Sequence, residues 1–322
     1  MSKSVWPDDR SGAALRQHLK HRLRLPLFVA PMFLISGPDL SIAAARAGAL
    51  SAFPTLNART LDDLEDWLEQ MSAMAKVNPE AAPWGVNLIL HSSNKRFESD
   101  FAAVVRAQVP LVVASVGTPE RVISPIHEYG GLVFCDVASL RHARKAVAAG
   151  VDGLVLLTAG AGGHTGWLNP FAFVTEVRRF FDGPIALAGA IGTGRALHAL
   201  EVLDADLGYA GTPFIATTES LAPTDHKDMV TRTDADGVML SDLVTGIPGN
   251  FARASMIAEG IIDQNGKALN SDTLTMSSWN TVWSMGHGAG DVLEVRSAAS
   301  LIDQLILEWR AARQISSEIS NS

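Results

Sequence analysis

Residues 132–158 read LVFCDVASLRHARKAVAAGVDGLVLLT. Two short apolar runs, LVFCD (132–136) and GLVLLT (153–158), flank SLRHARKAVAAG (139–150), which opens on serine and closes on Gly150. Serine is a preferred helix N-cap, and glycine readily takes the left-handed turn that ends a helix. The stretch therefore reads strand–helix–strand. Its strands are almost continuously apolar instead of alternating, as strands are when helices cover both faces of a parallel sheet.

The same unit recurs along the chain. Further candidate strands are LFVAP (27–31), ALSAF (49–53), WGVNLIL (84–90), LVVAS (111–115), PIALAG (184–189) and LGYAGT (207–212), with helical patterns such as 60–76 and 194–203 between them. The segments ARAGALSAF, VAAGVDGLVL and EVLDADLGYAG each run from a helix end into a strand. Eight strands separated by helices predict an α/β fold of the (β/α)8 TIM-barrel type. A doubly wound open sheet is the alternative, but no GxGxxG follows the first strand. After about residue 220 the texture becomes polar, then rich in glycine and proline. The expected division is a barrel over 1–221, a smaller cap over 222–295 and a C-terminal helix within 296–322 that packs back on the barrel.

Bulk properties narrow the function classes. The 322 residues are 47% hydrophobic and 19% charged, with a formal net charge of −8 and one cysteine, Cys135. No basic block suggests a nucleic-acid partner, and no apolar run has the length of a membrane span. The polar N-terminus has no signal-like core, so the expectation is a soluble cytoplasmic protein without disulfides. No HExxH, CxxC or Gly-x-Ser-x-Gly element occurs, and no metal is expected. His18, His21, His142 and His198 read as solvated surface histidines. Asp225, Asp228, Asp234 and Asp236 read as a solvated acidic loop. Cys135, inside LVFCD, reads as a buried, inert thiol.

In a (β/α)8 barrel the active site lies at the C-terminal strand ends. Those ends carry Pro31–Met32, Asn87, Ser115, Asp136, the 158–166 loop, Gly189 and Gly211–Thr212. Two glycine-rich segments, AGAIGTGR (188–195) and YAGTPF (209–214), follow the last two strands and precede helices. Helix N-termini with glycine nearby suit a phosphate group, although glycines can also simply end strands. LTAGAGGHTG (157–166) places His164 on a glycine loop at the same mouth. An imidazole there can take a proton near neutral pH, and small neighbours leave room for a flat ring and a small substrate.

These motifs resemble the nitronate monooxygenase family, formerly called 2-nitropropane dioxygenases. The resemblance runs through APM (30–32), WGVNL (84–88), RHARKAVAAGVDGL (141–154), AGGHTG (161–166), IALAGAIGTGR (185–195) and DADLGYAGTPFIAT (204–217). It implies a TIM barrel that binds FMN under a smaller domain. It sets the phosphate on the Ala188–Gly189–Ala190 turn and on Gly211–Thr212. It places Ala30, Pro31, Met32 and Asn87 along the flavin ring, with Gly162 and Gly163 over its face. His164 matches the family's catalytic histidine, expected to abstract the α-proton of a nitroalkane or to position a nitronate, with molecular oxygen completing turnover. Some relatives carry a basic residue at the flavin's pyrimidine edge where this chain has Asp136. That carboxyl points elsewhere, is bridged by a neighbour, alters the redox chemistry, or caps the following helix. Flavin-dependent enoyl-ACP and NADH:quinone reductases share the scaffold, so NAD(P)H is an alternative electron donor. A non-catalytic barrel that binds FMN or a phosphorylated metabolite is the reading of another class. Partners expected are a small nitronate and oxygen, no nucleic acid and no membrane, with a homodimer left open. Trp279 and Trp283 either wall the pocket or hold the cap together.

Overall fold

The computed structural model describes residues 5–269 and 281–320. Six strands come first: β1 (Leu27–Val29), β2 (Leu50–Pro54), β3 (Trp84–Ile89), β4 (Leu111–Ser115), β5 (Leu132–Val137) and β6 (Gly153–Leu157). A two-residue strand, β7 (Gly163–His164), lies outside the barrel, and β8 (Ile185–Ala188) and β9 (Leu207–Ala210) complete it. All eight barrel strands are parallel. β1 pairs with β2 on one side and β9 on the other, so the sheet is closed and the open-sheet alternative is excluded. The opening stretch behaves as read: Ser139 Oγ accepts from His142 N (3.2 Å) to start the helix Leu140–Ala149, and Gly150 ends it at φ +94°.

Successive side chains on a strand face opposite sides. In β5, Leu132 and Phe134 join Phe28, Leu50, Val113 and Val155 inside the barrel, whereas Val133, Cys135 and Val137 pack outward against helices. Burial beside Asp136 pushes the Cys135 thiol up to about 12, so it is inert at neutral pH. The bottom of the barrel is closed by an N-terminal helix, Gly12–Arg22, which puts Leu15 and Leu19 into the inner cluster together with Trp6. Only one narrow face of that helix is apolar, so periodicity announces it poorly. Trp6 Nε1 donates to Pro110 O (2.7 Å) at the base of β4. His18 departs from the expectation of a solvated histidine. It is half-buried, edge-on to Trp6 at 5.7 Å, and burial lowers its pKa.

The cap contains β10 (Val238–Ser241) and β11 (Gly249–Ala252), which pair antiparallel. β11 also pairs with β7, setting Gly249 against His164 and Asn250 against Gly163. The expected acidic loop is a helix, Thr224–Val230, followed by a 3-10 turn in which Asp234 accepts from Gly237 N (3.0 Å). Among the described residues no histidine, cysteine or carboxylate group is arranged to hold a metal ion. The helix Ala298–Ser320 packs on Gly194–Val202 and Pro38–Arg46, with Trp309 Nε1 donating to Glu201 Oε2 (2.8 Å). Trp279 lies outside the described residues. Trp283 stacks on His226 at 5.0 Å and 10°, which places it in the cap's packing.

Two stability predictions follow from these contacts. Leu15→Ala removes a buried side chain from the barrel floor and should cost about 2–5 kcal/mol in urea unfolding. His226 is buried, and its pKa falls to about 4. The unfolded chain therefore binds a proton there at about pH 6.5 while the folded chain does not, so stability drops as pH falls from 6.5 toward 4. His226→Phe should be flatter over that window than wild type, by at most about 3 kcal/mol. Equal pH dependence in the two proteins would contradict this.

Candidate active site

The strand ends and the cap enclose a cavity of about 1490 Å³. Ala30, Pro31 and Met32 leave β1 along one wall, and Asn87 and Asp136 rise from β3 and β5. Gly162, Gly163 and His164 come down from the cap side. Ala188, Gly189, Ala190, Gly211 and Thr212 form the wall beyond β8 and β9. His164 and the residues that the resemblance assigns to the cofactor thus line one space.

The glycines of AGAIGTGR do different jobs. Gly189 sits at φ +131°, and a Cβ there would lie 2.2 Å from Thr158 Oγ1, whose hydroxyl donates to Ala188 O (2.6 Å). Ala190 follows at φ +54°, a left-handed conformation that costs a non-glycine residue about 1–2 kcal/mol. This bend faces the cavity. Gly192 and Gly194 do not: their Cβ atoms would strike Asp291 Oδ2 at 2.3 Å and Trp309 N at 2.2 Å. They permit close packing of the 287–291 turn and the C-terminal helix. The acidic start of DADLGYAG is also structural, since Asp206 accepts from Ile185 N (2.8 Å) and pairs with Arg16 and Arg178.

His164 is half-buried, and its Nε2 lies 3.1 Å from Thr245 Oγ1. Thr245 donates its hydroxyl proton to Ile247 O (3.0 Å), so its oxygen accepts from the imidazole. Burial lowers the His164 pKa, which favours the neutral, basic form at pH 7.

Asp136 does not cap the following helix; Ser139 does that. By strand parity Asp136 faces into the barrel, accepting from Ser115 Oγ and from the backbone N–H of Val116. Desolvation is the larger influence and raises its pKa to about 6. Tyr209 reaches the same cavity from β9, packed edge-on against Phe28 at 4.9 Å.

Sequence reasoning missed the residues that fix the glycine loop. Asn250, almost fully buried in β11, donates from Nδ2 to Ala159 O (2.9 Å) and Ala161 O (2.7 Å). Gly286 N donates to Thr212 Oγ1 (2.8 Å), and His287 N donates to Gly160 O (3.0 Å). A Cβ on Gly162 would lie 2.7 Å from Gly286 N, so the two segments meet backbone to backbone. Period-two alternation in LGYAGT could have found Tyr209. Nothing local marks Asn250 or Thr245, whose partners are 81–91 residues away. Ser284 and Met285 line the cavity beside Thr245 and Val244.

A closed barrel whose strand ends hold a desolvated histidine and a half-buried carboxyl under a small cap has the build of a TIM-barrel enzyme. A family model described as nitronate monooxygenase matches residues 16–308, and the chain belongs to that family of oxidoreductases. It is 25% identical over 235 residues to a (3aS,4S,5R,7aS)-5-hydroxy-7a-methyl-1-oxo-octahydro-1H-indene-4-carboxyl-CoA dehydrogenase of Mycobacterium tuberculosis, covering 72% of this chain and 64% of that protein. The chain therefore spans just under two thirds of the length of that curated relative. Among solved structures, the nitroalkane oxidase of Streptomyces ansochromogenes superposes with a TM-score of 0.77 at 23% identity, covering 92% of this chain and 99% of that one. FabK of Thermotoga maritima superposes with a TM-score of 0.76 at 23% identity, covering 92% and 96%. These two share the fold.

Asn250→Ala would leave the buried Ala161 carbonyl and the more exposed Ala159 carbonyl without their donor. It should cost about 1–3 kcal/mol per unsatisfied group and expose the 159–163 loop to proteolysis while the barrel stays folded. Unchanged stability and unchanged nicking would mean that the loop is held by other contacts.

Proposed function

We propose that the protein is an FMN-dependent oxidoreductase that converts alkyl nitronates, or the parent nitroalkanes, using molecular oxygen. The observation that carries this reading is the common cavity. It joins the Gly189–Ala190 bend, the Gly211–Thr212 turn and a neutral histidine. The residues present fit the cofactor. Gly189 has no room for a side chain, and small residues, Ala30, Ala188, Ala190 and Gly211, leave a wall that a flat ring can approach. When bound, FMN supplies the redox chemistry.

The chain's own groups supply position and proton transfer. The backbone at Gly189–Ala190 and Gly211–Thr212 would hold the phosphate, and Ala30, Pro31, Met32 and Asn87 would border the ring. His164, held by Thr245, would take the acidic α-proton of a nitroalkane on its imidazole. Gly162 and Gly163 keep the loop thin enough for the histidine to reach the reacting carbon. Desolvation by the cap keeps that base neutral and excludes bulk water.

A second reading is favoured by the size of the cavity. Pockets for small ligands commonly occupy about 300–1,000 Å³, and this one exceeds that range. A reductase acting on a larger acyl substrate, with NAD(P)H as electron donor, would use more of it. The mycobacterial relative, whose name specifies a carboxyl-CoA, agrees with a bulky substrate.

Anaerobic bleaching of the FMN-loaded protein separates the two. Propyl-2-nitronate should bleach the visible flavin band rapidly; bleaching by NADH or NADPH alone would move the assignment to a reductase. His164→Ala should retain FMN and lose roughly 10²–10⁴-fold in turnover of neutral nitroalkane, with preformed nitronate affected less. In the wild type, kcat/KM for nitroalkane should rise with pH through a pKa below 6.5 and be level at neutrality. Full activity in the variant removes His164 from the mechanism.

A further inference from the structure

Asn87, Ser115 and Asp136 stand near the tops of three adjacent strands, β3, β4 and β5, and all line the cavity. Asn87 Nδ2 donates to Val113 O (3.0 Å) and to Ser115 Oγ (2.6 Å). Both amide hydrogens are then used, and the Ser115 hydroxyl has one hydrogen left to give, which goes to Asp136 Oδ2. The bonds run one way across the floor of the cavity, from an amide to a carboxyl. Val116, whose N–H also bonds to Asp136, is held at φ +53° immediately after β4.

Among the described residues, no cation completes this chain of hydrogen bonds. Among the described residues, the influences on Asp136 are burial, Ser115 and Val116. The other ionisable groups facing it are the Tyr209 hydroxyl across the barrel and the Cys135 thiol next to it. Burial pushes both of those pKa values up, and the negative charge of Asp136 adds to it. His91, Lys95, Arg96, Glu120, His142, Lys145 and His164 line the same cavity from neighbouring elements; Arg96 pairs with Asp100, and none of the seven is a partner of the Asp136 carboxyl. Negative charge brought into the cavity therefore meets a desolvated carboxyl with no counter-ion among the described residues. Two such charges side by side are costly, and one proton removes the cost.

We propose that Asp136 is the proton-exchanging group that balances negative charge added to the bound flavin, in place of a fixed cation. This rests on the FMN reading above. The balance is two electrons and two protons. Two electrons and one proton leave the ring with a single negative charge, and the second proton, from solvent, goes to a carboxylate oxygen of Asp136. Burial already holds this group at about 6, so a neighbouring negative charge needs to raise it only a little further for uptake at neutral pH. Asp136 would thus set how strongly the flavin's reduction depends on pH.

The test is the midpoint potential of the FMN-loaded full chain, measured against a reference dye between about pH 6 and 9. Each proton coupled to a two-electron reduction changes the equilibrium tenfold per pH unit, about 29.6 mV. Wild type should show a hundredfold change per pH unit near neutrality, and Asp136→Asn only tenfold. Ser115→Ala removes a hydrogen bond that favours the carboxylate, so its hundredfold region should extend to higher pH. Identical slopes for wild type and Asp136→Asn, or a tenfold slope in wild type, would overturn the proposal. If Asp136→Asn does not fold, an unshifted range in Ser115→Ala overturns it instead. Failure of the wild type to take up FMN, read from its visible absorbance before any potential is measured, refutes the flavin reading itself and this proposal with it.

Discussion

Closure of the barrel is the constraint from which the site follows. Because β1 pairs with both β2 and β9, no strand has a free edge and none can slip in register. Each strand then has one inward and one outward face along its whole length. In β5 that sends Leu132, Phe134 and Asp136 inward and Val133, Cys135 and Val137 into the helix layer. A shift of one residue would exchange them, presenting a thiol to the cavity and burying a carboxylate among alkyl groups. Phe28 and Phe134 fill the barrel below, so the cavity begins at the level where Asn87, Ser115 and Asp136 replace apolar side chains.

The barrel alone does not complete the site. His164 belongs to β7, whose pairing partner is β11 of the cap, and Asn250 of β11 anchors the carbonyls on the other arm of the loop. The 284–287 segment presses on the same loop from above through Gly286 and His287. Val116 and Ala190 are non-glycine residues at positive φ, and Gly163 and Gly189 share that region. Such conformations persist only where surrounding contacts over-determine them. The loop is thus positioned by the cap, although its residues sit between two barrel strands in sequence.

One physical cause acts on both ionisable groups of the cavity. Desolvation lowers the pKa of His164 and raises that of Asp136, in each case favouring the neutral form. Near neutral pH the cavity therefore offers a base at its roof and a readily protonated carboxyl at its floor. The lysines that line it, Lys95 and Lys145, are solvent-exposed at its outer edge. Arg96, also in the lining, is paired with Asp100.

Much of this was legible in the chain. Continuous apolar runs separated by capped helices imply a parallel sheet under helices, and their count of eight implies closure, because burial on both faces demands that pattern. Motif order placed His164, Gly189 and Gly211 at strand ends, where barrels carry their chemistry. Local sequence could not separate Gly189, which faces the cavity, from Gly192 and Gly194, which admit a turn and a distant helix. Nor could it show that Ser139 takes the capping role and leaves Asp136 to the barrel interior. Asn250, Thr245 and the Trp6–Leu15 plug work through partners far away along the chain. Helix and strand periodicity is a local property, written in neighbouring residues. A hydrogen bond or steric contact across the cavity depends on where closure brings distant backbone together, and only the tertiary structure decides that.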